Sequence, residues 1–322
     1  MPASRQLYDY HYRVFVTGFL LLLTAVLSLP ARADSKNGFE LSNAAIPVDE
    51  ILSGGPPRDG IPAIDDPIFL SATQVDFLTP EQRVLGVVRN GIAKAYPISI
   101  LNWHEIVNDQ FGEEGIVVTF CPLCGTGMAF LADIKGQRRS FGVSGLLYNS
   151  DVLLYDRTTE SLWSQLMMRA VSGPLSGTAL TLIPTTHTTW ADWRERYPAT
   201  RVLSTETGYA RDYQRNPYTG YEQSDFTFFP VPKASKRFHP KEIVLGVALD
   251  GTVKAYPFSE LARAPSPVQD RIGTQPVSIE FDAEHRTGRI LNAAGEEIPS
   301  VMAYWFAWSA FHPETAIFTT PR

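Results

Sequence analysis

Residues 84–101 read VLGVVRNGIAKAYPISIL and residues 244–261 read VLGVALDGTVKAYPFSEL. The shared VLGV and KAYP flank a two-residue turn, Asn90-Gly91 in one stretch and Asp250-Gly251 in the other. Turns of that length need positive φ at both central residues, so each stretch reads as a β-hairpin. Tyr-Pro closes the second strand, and a helical stretch is expected next, over 98–109 in the first copy and, shorter, over 258–263 in the second. Further along, GIVVTFCPLCGTG (115–127) aligns with QPVSIEFDAEHRTG (275–288) with one gap. That alignment puts Phe120 on Phe281 and Thr126 on Thr287, and sets Cys121 opposite Asp282 and Cys124 opposite His285.

The copies match again where Trp190 and Trp193 answer Trp305 and Trp308 at a constant offset of 115. Two tryptophans three apart before a proline predict a helix with an inward aromatic face. Between Gly127 and Trp190 the first copy is about 46 residues longer. The excess covers FGVSGLLYNSDVLLYDRTTESLWSQL (141–166), whose short alternating runs read as a β-meander. The expected fold is therefore a β-rich α+β protein of two related hairpin-helix-strand units from an internal duplication, the first carrying an inserted meander. The boundaries drawn are a Gly- and Pro-rich surface arm over 34–67, a site-bearing first unit over 68–240, and a degenerate second unit over 241–322.

At 322 residues, 44% of them hydrophobic, the chain can bury a full core. Its start resembles an export signal: Arg5 and Arg13, an apolar run over 14–29, then Ala31-Arg32-Ala33 as a small-x-small cleavage site. A signal peptide over 1–33, cut after Ala33, implies a periplasmic or secreted protein with no integral membrane domain. Removing it takes away Arg5, Arg13, Arg32 and Asp9, which leaves 25 basic against 33 acidic residues and a net charge of about −8. Nucleic acid is not an expected partner of so acidic a chain.

The chain's only two cysteines lie in Cys121-Pro122-Leu123-Cys124-Gly125, a turn that can hold one metal ion or close one disulfide. The second copy has neither, so the fold does not require them. Two thiolates fall short of a structural zinc site, and histidine is the natural supplement. His104 stands just before the cysteine strand and faces Ala264 in the second copy, so it vanishes together with the cysteines. His187, opposite Met302, is the other histidine considered. His104-Glu105-x-x-Asn108 is not a zinc-peptidase helix, because Asn108 replaces the second histidine. Neither a nucleophile elbow nor a phosphate loop nor a dinucleotide fingerprint occurs. The inserted segment adds Ser144, Asn149, Asp151, Asp156, Ser161, Trp163 and Gln165, which either satisfy turn backbones or line a polar pocket over the cysteines.

The strings LNWHEIVND, TFCPLCGTG, FGVSGLLYNSDVLLYDRTTESLWSQL and TTWADW with RVLS resemble an exported bacterial and archaeal family catalogued as a domain of unknown function. The resemblance runs from about Pro62 to the C-terminus. It implies a site around His104, Glu105, Cys121, Cys124, Ser144, Asn149, Asp156, Ser161 and Trp163, and it implies no particular reaction.

Three readings follow. In the first, Cys121, Cys124 and His104 bind a thiophilic ion, copper or zinc, with Glu105 and the insertion's Ser144, Asn149, Asp156, Ser161 and Trp163 around them. In the second, Cys121 and Cys124 are a thiol-disulfide pair that meets a periplasmic redox partner. In the third they form a disulfide clip in a protein that binds a small molecule. Whether the protein is an enzyme is left open.

Overall fold

Strand Arg83–Arg89 pairs antiparallel with Ile92–Pro97 around Asn90 and Gly91, whose φ values are 52° and 73°. Ile243–Leu249 and Thr252–Pro257 repeat that register, with Val84 opposite Pro97 as Val244 is opposite Pro257. Each hairpin gains an antiparallel neighbour, Thr186–Thr189 or Val301–Tyr304, and a short parallel one, Arg201–Leu203 or Ala316–Ile317. Phe69–Ser71 extends the first of these sheets. A second sheet follows each: Ile106–Phe111, Glu114–Cys121, Thr126–Leu131 and Leu182–Ile183 in the first half, and Val268–Ile272, Gln275–Asp282, Thr287–Asn292 and Glu297–Ile298 in the second. The insertion forms the fifth sheet, from Phe141–Tyr148, Asp151–Asp156, Leu162–Ser164 and Arg169–Ser172.

These five sheets are the blades of a β-propeller in the computed structural model, which describes residues 35–321. Strands account for 41% of the protein and helices for 11%. The α+β assignment is therefore overturned, and with it the hairpin-helix-strand unit: each repeated stretch is a pair of blades. The helix expected over 98–109 is the reason. It covers only Ile98–His104, because Glu105 takes a left-handed conformation (φ 58°) and ends it. Ile106-Val107 then continues as a strand, paired from Ile106 opposite Thr119 to Phe111 opposite Glu114. In the second half the helix is Phe258–Leu261. The expected signal segment lies outside the described residues. Among those, no helix is long and apolar enough to cross a membrane.

The two halves lock reciprocally. Val301–Tyr304 packs on Thr126–Leu131, and Thr186–Thr189 packs on Thr287–Asn292. Trp190, Trp193, Trp305 and Trp308 are all buried. A Cβ on Gly86 would lie 2.2 Å from the Trp193 ring, and one on Gly246 2.3 Å from Trp308. Glycine is present because the indole lies flat on the strand. Gly86→Ala should consequently destabilise the protein by about 3 kcal/mol, read as a lower midpoint in urea with unchanged slope.

The Gly- and Pro-rich arm is not a surface appendage. Ile51–Ser53 joins the insertion blade by pairing with Leu146–Tyr148. Phe39, Leu41 and Ile51 are buried against Leu153, Tyr155 and Val171 of that blade. A composition rich in turn formers fits an irregular segment, yet three well-spaced apolar side chains suffice to anchor it.

Candidate metal centre

Cys121 ends strand Glu114–Cys121 and pairs with Thr126, which opens the next strand, so Pro122 to Gly125 form the connecting turn. The Cys124 amide donates to the Cys121 carbonyl at 3.2 Å, which draws the two sulfurs to one side. Gly125 has φ 61°, and a Cβ there would sit 2.7 Å from the Tyr304 ring, whose amide donates to the Cys124 carbonyl. The second half thus clamps the cysteine turn of the first.

The insertion blade supplies the rest. Strands Phe141–Tyr148 and Asp151–Asp156 are joined by Asn149-Ser150, with φ values of 49° and 68° as a tight hairpin requires. This turn sets the Ser150 carbonyl 3.7 Å from the Cys121 sulfur and 3.4 Å from that of Cys124, where both thiols donate. It also carries Asp151. One ligand atom from each of Cys121, Cys124 and Asp151 lies within 4.8 Å of the others, and all three residues are buried. One Asp151 oxygen accepts from the Leu166 amide at 3.0 Å. The other has no hydrogen-bond partner among the described residues, and the same holds for Ser150 Oγ, Gln165 Oε1 and Tyr221 OH. Buried polar atoms are rarely left unpaired, and a carboxylate oxygen beside two thiols has the geometry of a ligand.

Burial governs the protonation of these groups. It pushes the Asp151 carboxyl up to about 7 against the lowering effect of the Leu166 and Val152 amides. It pushes the Cys124 thiol well up, helped by Cys121 beside it. Glu105, 8% exposed, is pushed up to about 8 by burial and by the nearby Asp151. A cation among the three donors would reverse the balance at Asp151 and the thiols.

The expected site residues separate into groups. Glu105, Cys121 and Cys124 converge, and Glu105 shares with Cys121 the wall of one cavity. His104 does not join the three-ligand group. Its Nδ1 lies 2.7 Å from the Pro62 carbonyl and its Nε2 2.6 Å from Tyr213 OH, so neither nitrogen is free for an ion. Through Tyr213, His104 fastens the long loop whose Tyr218, Phe228 and Phe229 cover the cavity beside the cysteines. His187 is likewise engaged, its Nε2 against the Gly127 backbone at 3.0 Å. Asn149 shapes the hairpin turn. Ser144 Oγ bonds to the Leu153 carbonyl and the Leu146 amide at a bulge. Asp156 accepts from Thr159, from Trp163 Nε1 at 3.1 Å and from Arg139 at 3.3 Å, and Ser161 Oγ completes that network with Thr159 and the Leu175 amide. These are turn and core duties in the blade that presents Asp151.

In the sequence Asp151 is one polar residue of the insertion among several, with no role of its own. Its signal is nonetheless present: Asn149-Ser150 as a hairpin turn puts the next residue at the head of a strand, though only the tertiary fold tells which loop that head faces. Second-half equivalents of the cysteines, Asp282 and His285, form another close group with Asp192. There, however, Asp282 accepts from the amides of Glu284 and His285, and Asp192 is bound by Arg196 and Thr188, so the group satisfies itself.

No curated protein and no solved structure matches the chain. A family match covers residues 58–294, most of the chain and all of the cysteine centre. The protein accordingly belongs to the family described as protein of unknown function (DUF3179).

Proposed function

We propose that the protein binds a single zinc ion through Cys121, Cys124 and Asp151, and that it does so after export. The observation that carries this reading is the convergence of two buried thiols and a buried Asp151 carboxylate oxygen within 4.8 Å of one another. Zinc accepts two sulfurs at about 2.3 Å and a carboxylate oxygen at about 2.0–2.2 Å in one tetrahedral shell, which donors this close can reach by small side-chain rotations. Copper, the other ion compatible with a cysteine pair, in its cuprous form prefers soft donors only, and replacing imidazole by carboxylate moves the set towards zinc. Three protein ligands leave a fourth position open, the pattern of zinc sites that act on a bound molecule. Cys121 borders a cavity and Cys124 does not, so that position lies on the cavity side.

A thiol-disulfide function is less well supported. Both sulfurs are at most 1% exposed, and burial holds the Cys124 thiol protonated, whereas exchange needs a thiolate that a partner can approach. In an oxidising compartment a bound ion would also protect the pair from closing.

The test is a zinc titration of the mature chain purified without oxygen, repeated with cobalt, whose thiolate-to-metal charge-transfer absorption reports sulfur ligation. The expected result is one equivalent of either ion, a charge-transfer band that zinc abolishes, and a proton release that grows as pH falls below about 7. Cobalt binding without that band would refute the centre.

A further inference from the structure

A cavity of about 230 Å³ opens from the cysteine turn between the insertion blade and the arm. Ile61, Val143, Leu147, Val152 and Phe229 give it apolar walls. Its roof is the long loop between Arg201–Leu203 and Ile243–Leu249, which has only the short turn Tyr221–Gln223 as regular structure. Tyr213 ties this loop to His104, and the Arg215 carbonyl ties it to Trp103 Nε1 at 3.3 Å. Loops of such length inside a compact fold are usually binding elements.

Three groups break the apolar lining, Cys121, Glu105 and the Tyr218 hydroxyl, and Tyr218 feels the charge of the other two. Glu105 is buried, its carboxyl lines the cavity, and it makes no side-chain hydrogen bond among the described residues. Its backbone is in the left-handed region, which a non-glycine residue adopts only where its surroundings impose it, and the Phe120 amide holds the Glu105 carbonyl there at 2.7 Å. A carboxyl held in this way over an apolar pocket has the character of a recognition group.

We propose that this cavity binds a small, neutral, mostly apolar alcohol, whose hydroxyl hydrogen donates to Glu105 while its oxygen lone pair faces the ion's open position beside Cys121. The claim about the head group rests on the zinc reading above. Size fixes the body: a cavity of roughly 150 Å³ accommodates benzene, so this one takes a single ring with a short side chain, or a chain of similar bulk. Charge fixes the head. Two thiolates and a carboxylate around a divalent ion carry a net charge of −1, and Glu105 adds no positive charge, so an anionic head is disfavoured. A hydroxyl supplies both the donor and the lone pair from one small oxygen, as a single head group between Glu105 and the ion requires.

Calorimetric titration of the zinc-loaded mature chain with benzyl alcohol, toluene and benzoate tests this. Benzyl alcohol should bind one to one and at least tenfold tighter than either of the others. Glu105→Met should bring benzyl alcohol down to the level of toluene and leave toluene unweakened. Ile61→Trp, which fills the cavity from the arm, and Phe229→Ala, which opens the roof, should each weaken both ligands tenfold or more, with the circular dichroism spectrum unchanged. Benzoate binding as well as benzyl alcohol, or both wall variants binding like the wild type, overturns the proposal. The Cys121→Ser protein separates the two readings, since its apolar walls should still take toluene without zinc. If zinc fails to bind while toluene enters, the metal reading falls and the hydroxyl preference with it. If zinc binds and no probe enters, the metal reading stands and the cavity proposal falls.

Discussion

Cys121→Ser and Cys124→Ser should each lower zinc affinity by about a thousandfold, Asp151→Asn by about tenfold to a hundredfold, and His104→Ala by less than threefold. The ranking follows from the donors. A serine hydroxyl at neutral pH neither carries charge nor ligates a soft ion, so losing one sulfur removes a third of the protein's shell. The side-chain amide introduced by Asp151→Asn would keep an oxygen within reach but lack the negative charge that offsets the ion. His104 has both nitrogens occupied by Pro62 and Tyr213 and contributes through the loop it fastens. Competition titrations against a chelator of known affinity measure all four. A His104→Ala loss as large as that of Asp151→Asn would place the imidazole on the ion after all. The fold should survive both cysteine substitutions, because the matching turn of the second half closes with Asp282 and His285 in place of the cysteines.

Without metal, the protein should lose stability as pH rises from about 5 to about 8, and zinc should abolish most of that loss. Asp151 and Glu105 are both raised by burial, to about 7 and about 8. A carboxyl whose folded-state value lies above its unfolded one binds its proton more tightly when folded. Its contribution is therefore complete below the unfolded value near 4 and lost as pH climbs through the folded value. Each group spans on the order of 4–5 kcal/mol, about 9 kcal/mol for the two, a midpoint shift of well over 10 °C for a chain of this size. Zinc binds the ionised Asp151 and so reverses the slope of that group. Glu105→Gln should remove the loss between about pH 7 and 8 and roughly halve the loss below pH 7, where Asp151 also contributes. A midpoint for the metal-free protein that rises between pH 5 and 8 would contradict the burial of these carboxyls as described.

Much of this centre is legible in the residues alone. The cysteine turn needs only its spacing, and the absence of both cysteines from the second copy separates chemistry from scaffold. Glu105 stands out beside His104, and the structure places it in the cavity wall with Cys121. His104 reads as a ligand because its absence parallels that of the cysteines. The same parallel arises when a residue holds the roof of a site, and a comparison of two copies within one chain cannot distinguish contact with an ion from contact with Tyr213.

Local chemistry decided what could be read directly: Asn-Gly and Asp-Gly between alternating runs favour the positive φ of a tight hairpin, and Cys-Pro-x-Cys-Gly turns its sulfurs to one side through its own amides. Repeat spacing likewise placed the four tryptophans, since Gly86 and Gly246 leave flat faces only an indole fills so closely. The choice between α+β and a five-bladed propeller lay beyond that reach, because seven residues after Pro97 make a helix and the next six a strand only once Glu105 is forced left-handed by the Phe120 strand beside it. The third member of the cysteine cluster was equally a tertiary matter. Asp151 is 27 residues from Cys124 in the chain. It meets the sulfurs because the insertion folds as a whole blade whose hairpin tip packs onto the cysteine turn, with the Ser150 carbonyl against both sulfurs.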